Sequence, residues 1–166
     1  MKLSTKGRYA VMAMADLADA AETGPVTLSD IASRQSISLS YLEQLFAKLR
    51  RADIVSSVRG PGGGYKLSRL PTQIRISDII LAVDEPLRAT RCSEAKGCLS
   101  DGRRCITHDL WDELGRHIYL FLSSITLEDV LERRLFGAAS GAVGRIERPA
   151  GTPRARLGSG DIHAAE

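Results

Sequence analysis

The apolar period of this chain changes at Asp53, and that change constrains the fold more than any other feature. Before it, Ala10, Ala13, Met14, Leu17, Ala18 and Ala21 recur at the spacing of one helical face, predicting a first helix over about 5–21 that Gly24-Pro25 ends. Thr27-Leu28-Ser29-Asp30 has the form of a capping box opening a short second helix to about Arg34. After the polar break Gln35-Ser36-Ile37-Ser38, a third helix is expected to bury Leu39, Leu42, Leu45, Phe46 and Leu49. Beyond Asp53, Ile54-Val55-Ser56-Ser57-Val58 and Tyr65-Lys66-Leu67-Ser68 read as strands joined by Arg59-Gly60-Pro61-Gly62-Gly63-Gly64. Helix, turn, helix and then a glycine-tipped hairpin is the order of a helix-turn-helix with a wing.

Ser77 is placed to cap a further helix through Ile79, Ile80 and Val83, stopped before Pro86. Residues 87–106 show no period. A longer helix then runs from Thr107 to about Ser123, with Leu110, Trp111, Leu114, Ile118, Phe121, Leu122 and then Ile125 on one side. A small domain has too little chain left to cover that stripe, so a second copy is expected to, and Trp111 reads as packing rather than as a cofactor contact. Thr126-Leu127-Glu128-Asp129 opens a last short helix. Past Phe136 the chain is rich in Gly, Ala, Pro and Arg without an apolar face, and disorder is expected there.

The aperiodic stretch holds every cysteine of the chain, Cys92, Cys98 and Cys105, followed closely by His108. Three thiolates and an imidazole make a complete four-ligand set for zinc or an iron–sulfur cluster. The spacing, Cys-x5-Cys-x6-Cys-x2-His with Gly97 and Gly102 between, lacks the tight Cys-x2–4-Cys hairpin of a zinc knuckle and leans towards a larger object. Ligand type leaves zinc open. A 2Fe–2S centre with these ligands carries a charge of about −1 or −2. Arg91, Lys96, Arg103 and Arg104, with the helix start at Thr107, would favour such an anion, and the same arginines also read as solvated loop charges. His117 and His163 read as ordinary surface.

On the third helix the outward residues are Ser40, Glu43, Gln44, Ala47, Lys48 and Arg51. Gln pairs with adenine, Glu accepts from cytosine N4, and Ser adapts to base or phosphate. Lys48 and Arg51 suit the phosphate backbone, and Arg59 at the wing suits a narrow minor groove. Ser40 and Glu43 are also spaced as a capping box, a purely structural alternative. Residues 1–70 carry ten Lys/Arg against six Asp/Glu, so the basic excess lies on the half with this face. The glycine run is not followed by the Lys-Ser/Thr of a nucleotide-binding loop, and no catalytic acid–base pair is evident, so an enzyme or electron carrier is disfavoured. No apolar run reaches the roughly 18–20 residues of a membrane span, and Met1–Arg8 lacks the apolar core of a secretion signal; a cytoplasmic protein is expected.

Several strings resemble the Rrf-type winged helix-turn-helix regulators that carry an iron–sulfur cluster: Leu3-Ser4-Thr5-Lys6-Gly7-Arg8-Tyr9-Ala10-Val11, Ile37 through Phe46, Val55 through Tyr65, Ala89-Thr90-Arg91-Cys92, and Cys105 through Trp111. The resemblance covers about residues 1–133. It implies a homodimer with one 2Fe–2S cluster per subunit, held by Cys92, Cys98, Cys105 and His108 and supplied by the iron–sulfur assembly machinery. It also implies promoter DNA as partner, repression or activation of cluster-assembly and related genes, DNA contacts from Ser40, Gln44 and Arg59, and a role for Glu43 in selecting the DNA class. The gap from Cys98 to Cys105 is one residue longer than the family pattern, and related iron and nitric-oxide sensors vary there. His108 matches the members that follow cluster supply. The expected organisation is mainly α with a small β wing: a winged helix-turn-helix domain over 1–84, a cluster loop and dimerisation helices over 85–135, and a tail over 136–166.

Overall fold

The computed structural model describes residues 4–21, 24–85, 87, 98–99 and 102–134. In chain order the elements are α1 (Thr5–Ala20), α2 (Leu28–Gln35), α3 (Leu39–Arg51), β1 (Val55–Val58), β2 (Gly64–Leu67), a 3-10 turn at Pro71–Gln73, α4 (Ile76–Ala82), α5 (His108–Ser124) and α6 (Leu127–Leu131). The mainly helical architecture with a small antiparallel wing agrees with the sequence expectation. The expected tail over 136–166 and most of the cysteine loop lie outside the described residues.

The starts of α1, α2 and α3 are set by side-chain caps. Ser4 accepts from the Lys6 amide at α1. At α2 the Thr27 hydroxyl accepts from the Asp30 amide at 3.1 Å, the expected cap, and donates to the Asp30 carboxylate at 2.7 Å, so the carboxylate meets the hydroxyl where a full capping box would have it meet the Thr27 amide. Ser36 leaves α2 in the left-handed conformation, φ 54°, and turns the chain into α3. At α3 the cap is Ser38, which accepts from the Tyr41 amide at 3.3 Å. This corrects two expectations. Ser40 already lies inside the first turn, so it does not form a capping box with Glu43, and Leu39 is 43% exposed rather than part of the core.

Buried faces of α1 (Ala10, Ala13, Met14, Leu17), α2 (Ile31) and α3 (Leu42, Leu45, Phe46, Leu49) meet in one core with Ile79, Ile80 and Val83. Burying a side chain of this size contributes about 1.5–3 kcal/mol. Phe46 also packs edge-on against Tyr65 of the wing, ring centres 4.9 Å apart, which joins α3 to β2.

The strands pair Val55 with Leu67 through Val58 with Gly64. The tip turns on Gly60 (φ 103°) and Gly62 (φ 73°), conformations that favour glycine. At the stem, Val26 and Tyr65 exchange amide hydrogen bonds of 2.9 and 2.7 Å. That pairing brings Val26 so close that a Cβ on Gly64 would stand 2.5 Å from its carbonyl oxygen. A glycine is required there by close approach.

The helix expected to be capped by Ser77 has Arg75, two residues earlier, at its N-cap position, where the Arg75 amide donates to the Asp78 carboxylate at 3.4 Å, and Ser77 is buried within α4. The reason is remote in sequence. Ile76 donates to the Ile125 carbonyl at 3.0 Å and Leu127 to the Ile74 carbonyl at 2.9 Å, so the two segments pair across fifty residues of chain. The last helix starts where expected, and there Thr126 and Asp129 cap α6 reciprocally at 3.0 and 2.9 Å. Ile125, expected on the stripe that a second copy covers, instead joins Leu127 in the same core as α1, and α6 packs on α1. Among the described residues no helix is long and apolar enough to cross a membrane.

Candidate functional site

The outward face of α3 carries Ser40, Glu43 and Gln44, all exposed and at helical spacings that group them on one side. Because Ser38 supplies the cap, the Glu43 carboxylate is not committed to the helix start. Arg51 is exposed, its Nε donating to the Ala47 carbonyl at 3.2 Å, and Arg59 is exposed at the end of β1. Lys48 is placed differently from Arg51. Its ammonium donates to the Asp84 carboxylate at 2.7 Å, in the turn after α4. That hydrogen bond and the Lys48 charge, with Lys6 and Arg51 behind them, hold the Asp84 carboxyl below the usual carboxylate range. Sequence reasoning missed Asp84, since its partner is 36 positions away.

Sequence reasoning also missed a hydroxyl-rich groove beside the start of α3, lined by Thr5, Tyr9, Ser36, Ile37, Ser38 and Tyr41. Tyr9 and Tyr41 meet edge to face there at 6.0 Å, fixing α1 against α3. The signal lay in the spacing of Ser36, Ser38 and Tyr41 about the turn, residues that reasoning about base contacts passed over.

Of the expected ligands, Cys92 lies outside the described residues, as do the flanking charges Arg91 and Lys96; Arg103 and Arg104 are exposed. Cys98 Sγ and His108 Nδ1 stand 3.0 Å apart. His108 opens α5 and is 7% exposed. Two backbone turns bring the pair together. The Cys98 amide donates to the Arg103 carbonyl at 3.1 Å, folding the loop back across Gly102, and the His108 amide donates to the Cys105 carbonyl at 3.0 Å. Cys105 Sγ lies 3.6 Å from the Thr107 hydroxyl, which also accepts from the Trp111 indole at 3.1 Å. Trp111, expected to serve only packing, thus also holds the residue beside His108. Among the described residues no three donors converge into a metal cluster.

The donor set nevertheless suits a soft metal. Thiolate and imidazole bonds of roughly 2.3 and 2.1 Å to one tetrahedral ion put the two donor atoms about 3.6 Å apart. The Cys98–His108 separation is that of a hydrogen bond, so occupancy requires loss of the shared proton and a parting of about half an ångström. The N-terminal end of α5 faces the same place and favours negative charge.

A short helix, a turn and an exposed second helix, braced by a hairpin packed on that second helix, define a winged helix-turn-helix DNA-binding protein. The family model of Rrf2, iron-dependent transcriptional regulators, matches residues 3–133, and the chain belongs to that family. The HTH-type transcriptional regulator IscR of Photorhabdus laumondii is 54% identical over 134 residues, 81% of either chain. That of Aliivibrio salmonicida is 55% identical over 131 residues, 79% of this chain and 77% of its own. Among solved structures, T. potens IscR superposes with a TM-score of 0.65 at 42% identity, over 81% of this chain and 88% of that one. CymR, the global cysteine regulator of B. subtilis, superposes with a TM-score of 0.68 at 36% identity, over 80% and 98%. These relatives are transcriptional regulators and not enzymes, and this chain is a helix-turn-helix transcriptional regulator.

Proposed function

We propose that the chain acts as a cytoplasmic homodimer that senses iron–sulfur supply through a 2Fe–2S cluster and adjusts transcription of cluster-assembly and related genes accordingly. The observation that carries this reading is the meeting of Cys98 with the buried His108 at the start of α5. Cys92 and Cys105 complete the set of four ligands. When bound, the cluster supplies a labile, redox-active anion whose presence reports on the assembly machinery that donates it. His108 ligates only as the neutral imidazole, and it is a weaker anchor than a thiolate, so the site empties readily when supply falls. Thr107 and Trp111 hold the backbone on which His108 is mounted. The similarity to IscR of two organisms and the family's iron dependence support the same reading.

Ser40, Glu43 and Gln44 are assigned to base edges in the major groove of promoter DNA, Lys48 and Arg51 to phosphates, and Arg59 to the adjoining minor groove. Glu43 rejects bases that offer no donor. Leu110, Trp111, Leu114, Leu120 and Phe121 remain exposed on α5 and form the contact with a second copy, which places two recognition helices on two-fold related half-sites.

Metal analysis and a visible spectrum of anaerobically purified protein test the proposal. Brown protein with equal iron and sulfide, turned colourless by Cys92→Ala, is the expected result. Colourless protein loaded with stoichiometric zinc would replace the sensor with a zinc-stabilised DNA-binding protein. Promoter footprints that are the same for stripped and reconstituted protein would remove cluster control.

A further inference from the structure

The turn after α4 places a carboxylate among the cations of the recognition helix. Asp84 lies in the turn at the end of α4 with a left-handed backbone, φ 57°, and its side chain meets Lys48 of α3. Its Oδ2 receives Lys48 Nζ at 2.7 Å, and Lys6 and Arg51 are near enough to act on its charge. The next residue, Glu85, is held in turn. Its carboxylate accepts from the Ser4 amide at 3.2 Å and from the Ser4 hydroxyl. Asp84 is therefore mounted on an anchored turn, whereas the Lys48 side chain is long and swings.

The carboxylate is 74% exposed and Lys48 29% exposed, so the pair faces water, and its attraction is weak enough for another anion to displace. A phosphate group of DNA is such an anion. We propose that Asp84 is an affinity-setting residue: it occupies the phosphate partner of Lys48 and makes DNA compete for that cation. Lys48 then contributes to DNA binding only after leaving Asp84, and that cost falls alike on any sequence. Such a brake lowers non-specific grip without altering base selection, because phosphate contacts carry no sequence information.

The inference rests on the reading that α3 faces DNA, and the test separates the two. Full-length Asp84→Asn, Lys48→Met and the double variant are titrated with a mixed-sequence duplex and with a duplex from the chain's own upstream region, across a salt series. Asp84→Asn is expected to bind both duplexes roughly two- to fivefold more tightly, with a log–log salt slope steeper by about 0.9 for the freed cation. The ratio between duplexes should stay constant, and the gain should vanish in the double variant. Gln44→Ala and Arg59→Ala serve as controls. If they weaken binding while Asp84→Asn leaves affinity and slope unchanged, Asp84 is no brake and the DNA-facing reading stands. If Gln44→Ala and Arg59→Ala also change nothing, the DNA-facing reading itself fails. A gain that persists in the double variant would overturn the role of Lys48. Circular dichroism melting of each variant checks folding, and a folded Asp84→Asn that binds more weakly overturns the proposal.

Discussion

Helices α3 and α5 are written in the same amphipathic style and meet opposite fates. Of the thirteen residues of α3, Leu42, Leu45, Phe46 and Leu49 are buried, against α1, α2 and the wing. Of the seventeen of α5, only His108 is buried, and Leu110, Leu114, Leu120 and Phe121 face outward. An apolar stripe thus has two meanings. In α3 it completes a core that exists within one chain. In α5, fastened at its far end through Ile125 and Leu127, it stays on the surface of the single chain, where the proposed second copy would cover it.

Mutations separate these two meanings. The largest expected loss is from Phe46→Ala, which opens a cavity where α3 meets the wing and costs about 3–5 kcal/mol in denaturant unfolding. Gly64→Ala comes next: the added Cβ presses on the Val26 carbonyl, so the stem must part or twist, at a cost of about 2 kcal/mol read in the same way.

Asp16→Asn is smaller, about 1 kcal/mol, because the partly exposed Arg34 limits what the pair is worth. Burial raises the Asp16 carboxyl, but hydrogen bonds from Arg34 and Gln35 and the Arg34 charge outweigh it and leave a net lowering. A carboxyl whose folded pKa lies below its unfolded value stabilises the fold fully at neutral pH. That share is lost as pH falls below the ordinary carboxylate range and through the lowered value. Melting temperatures of wild type and Asp16→Asn should therefore converge on acidification, and parallel curves would contradict the assignment.

The smallest effect on the stability of a single chain is expected from Leu114→Ser with Phe121→Ser. Each changes it by within about 0.5 kcal/mol, since neither side chain is buried there. Sedimentation should nonetheless show the assembly gone. If that double variant unfolds as severely as Phe46→Ala while monomeric, the contrast between the two helices is false.

Local pattern revealed most of this fold and misplaced what depends on remote chain. The caps at Thr27 and Thr126 were legible because both partners lie within four residues. Ser38 and Ser40 each precede a helical stripe, and sequence cannot choose between caps two residues apart, which is also why Leu39 was misassigned to the core. The start of α4 at Arg75 follows from pairing with Ile125 and Leu127, which no window around Ser77 contains. In the candidate site, residue types and spacing pointed to four ligands, Cys92, Cys98, Cys105 and His108, of which Cys98 and His108 stand 3.0 Å apart. The Lys48–Asp84 bond was not, because it arises only once two helices have been packed.

The stem of the wing has one more consequence. Val26 at the mouth of α2 and Tyr65 in β2 are laced together, and Tyr65 rests on Phe46, so the stem of the wing is fastened to α3 like a die to its press. A die of fixed pitch cannot stretch to suit its imprint. On the proposed assignment of α3 and Arg59 to DNA, one base pair inserted between their two tracts rotates one against the other by about a tenth of a helical turn, and the protein is expected to release one of them.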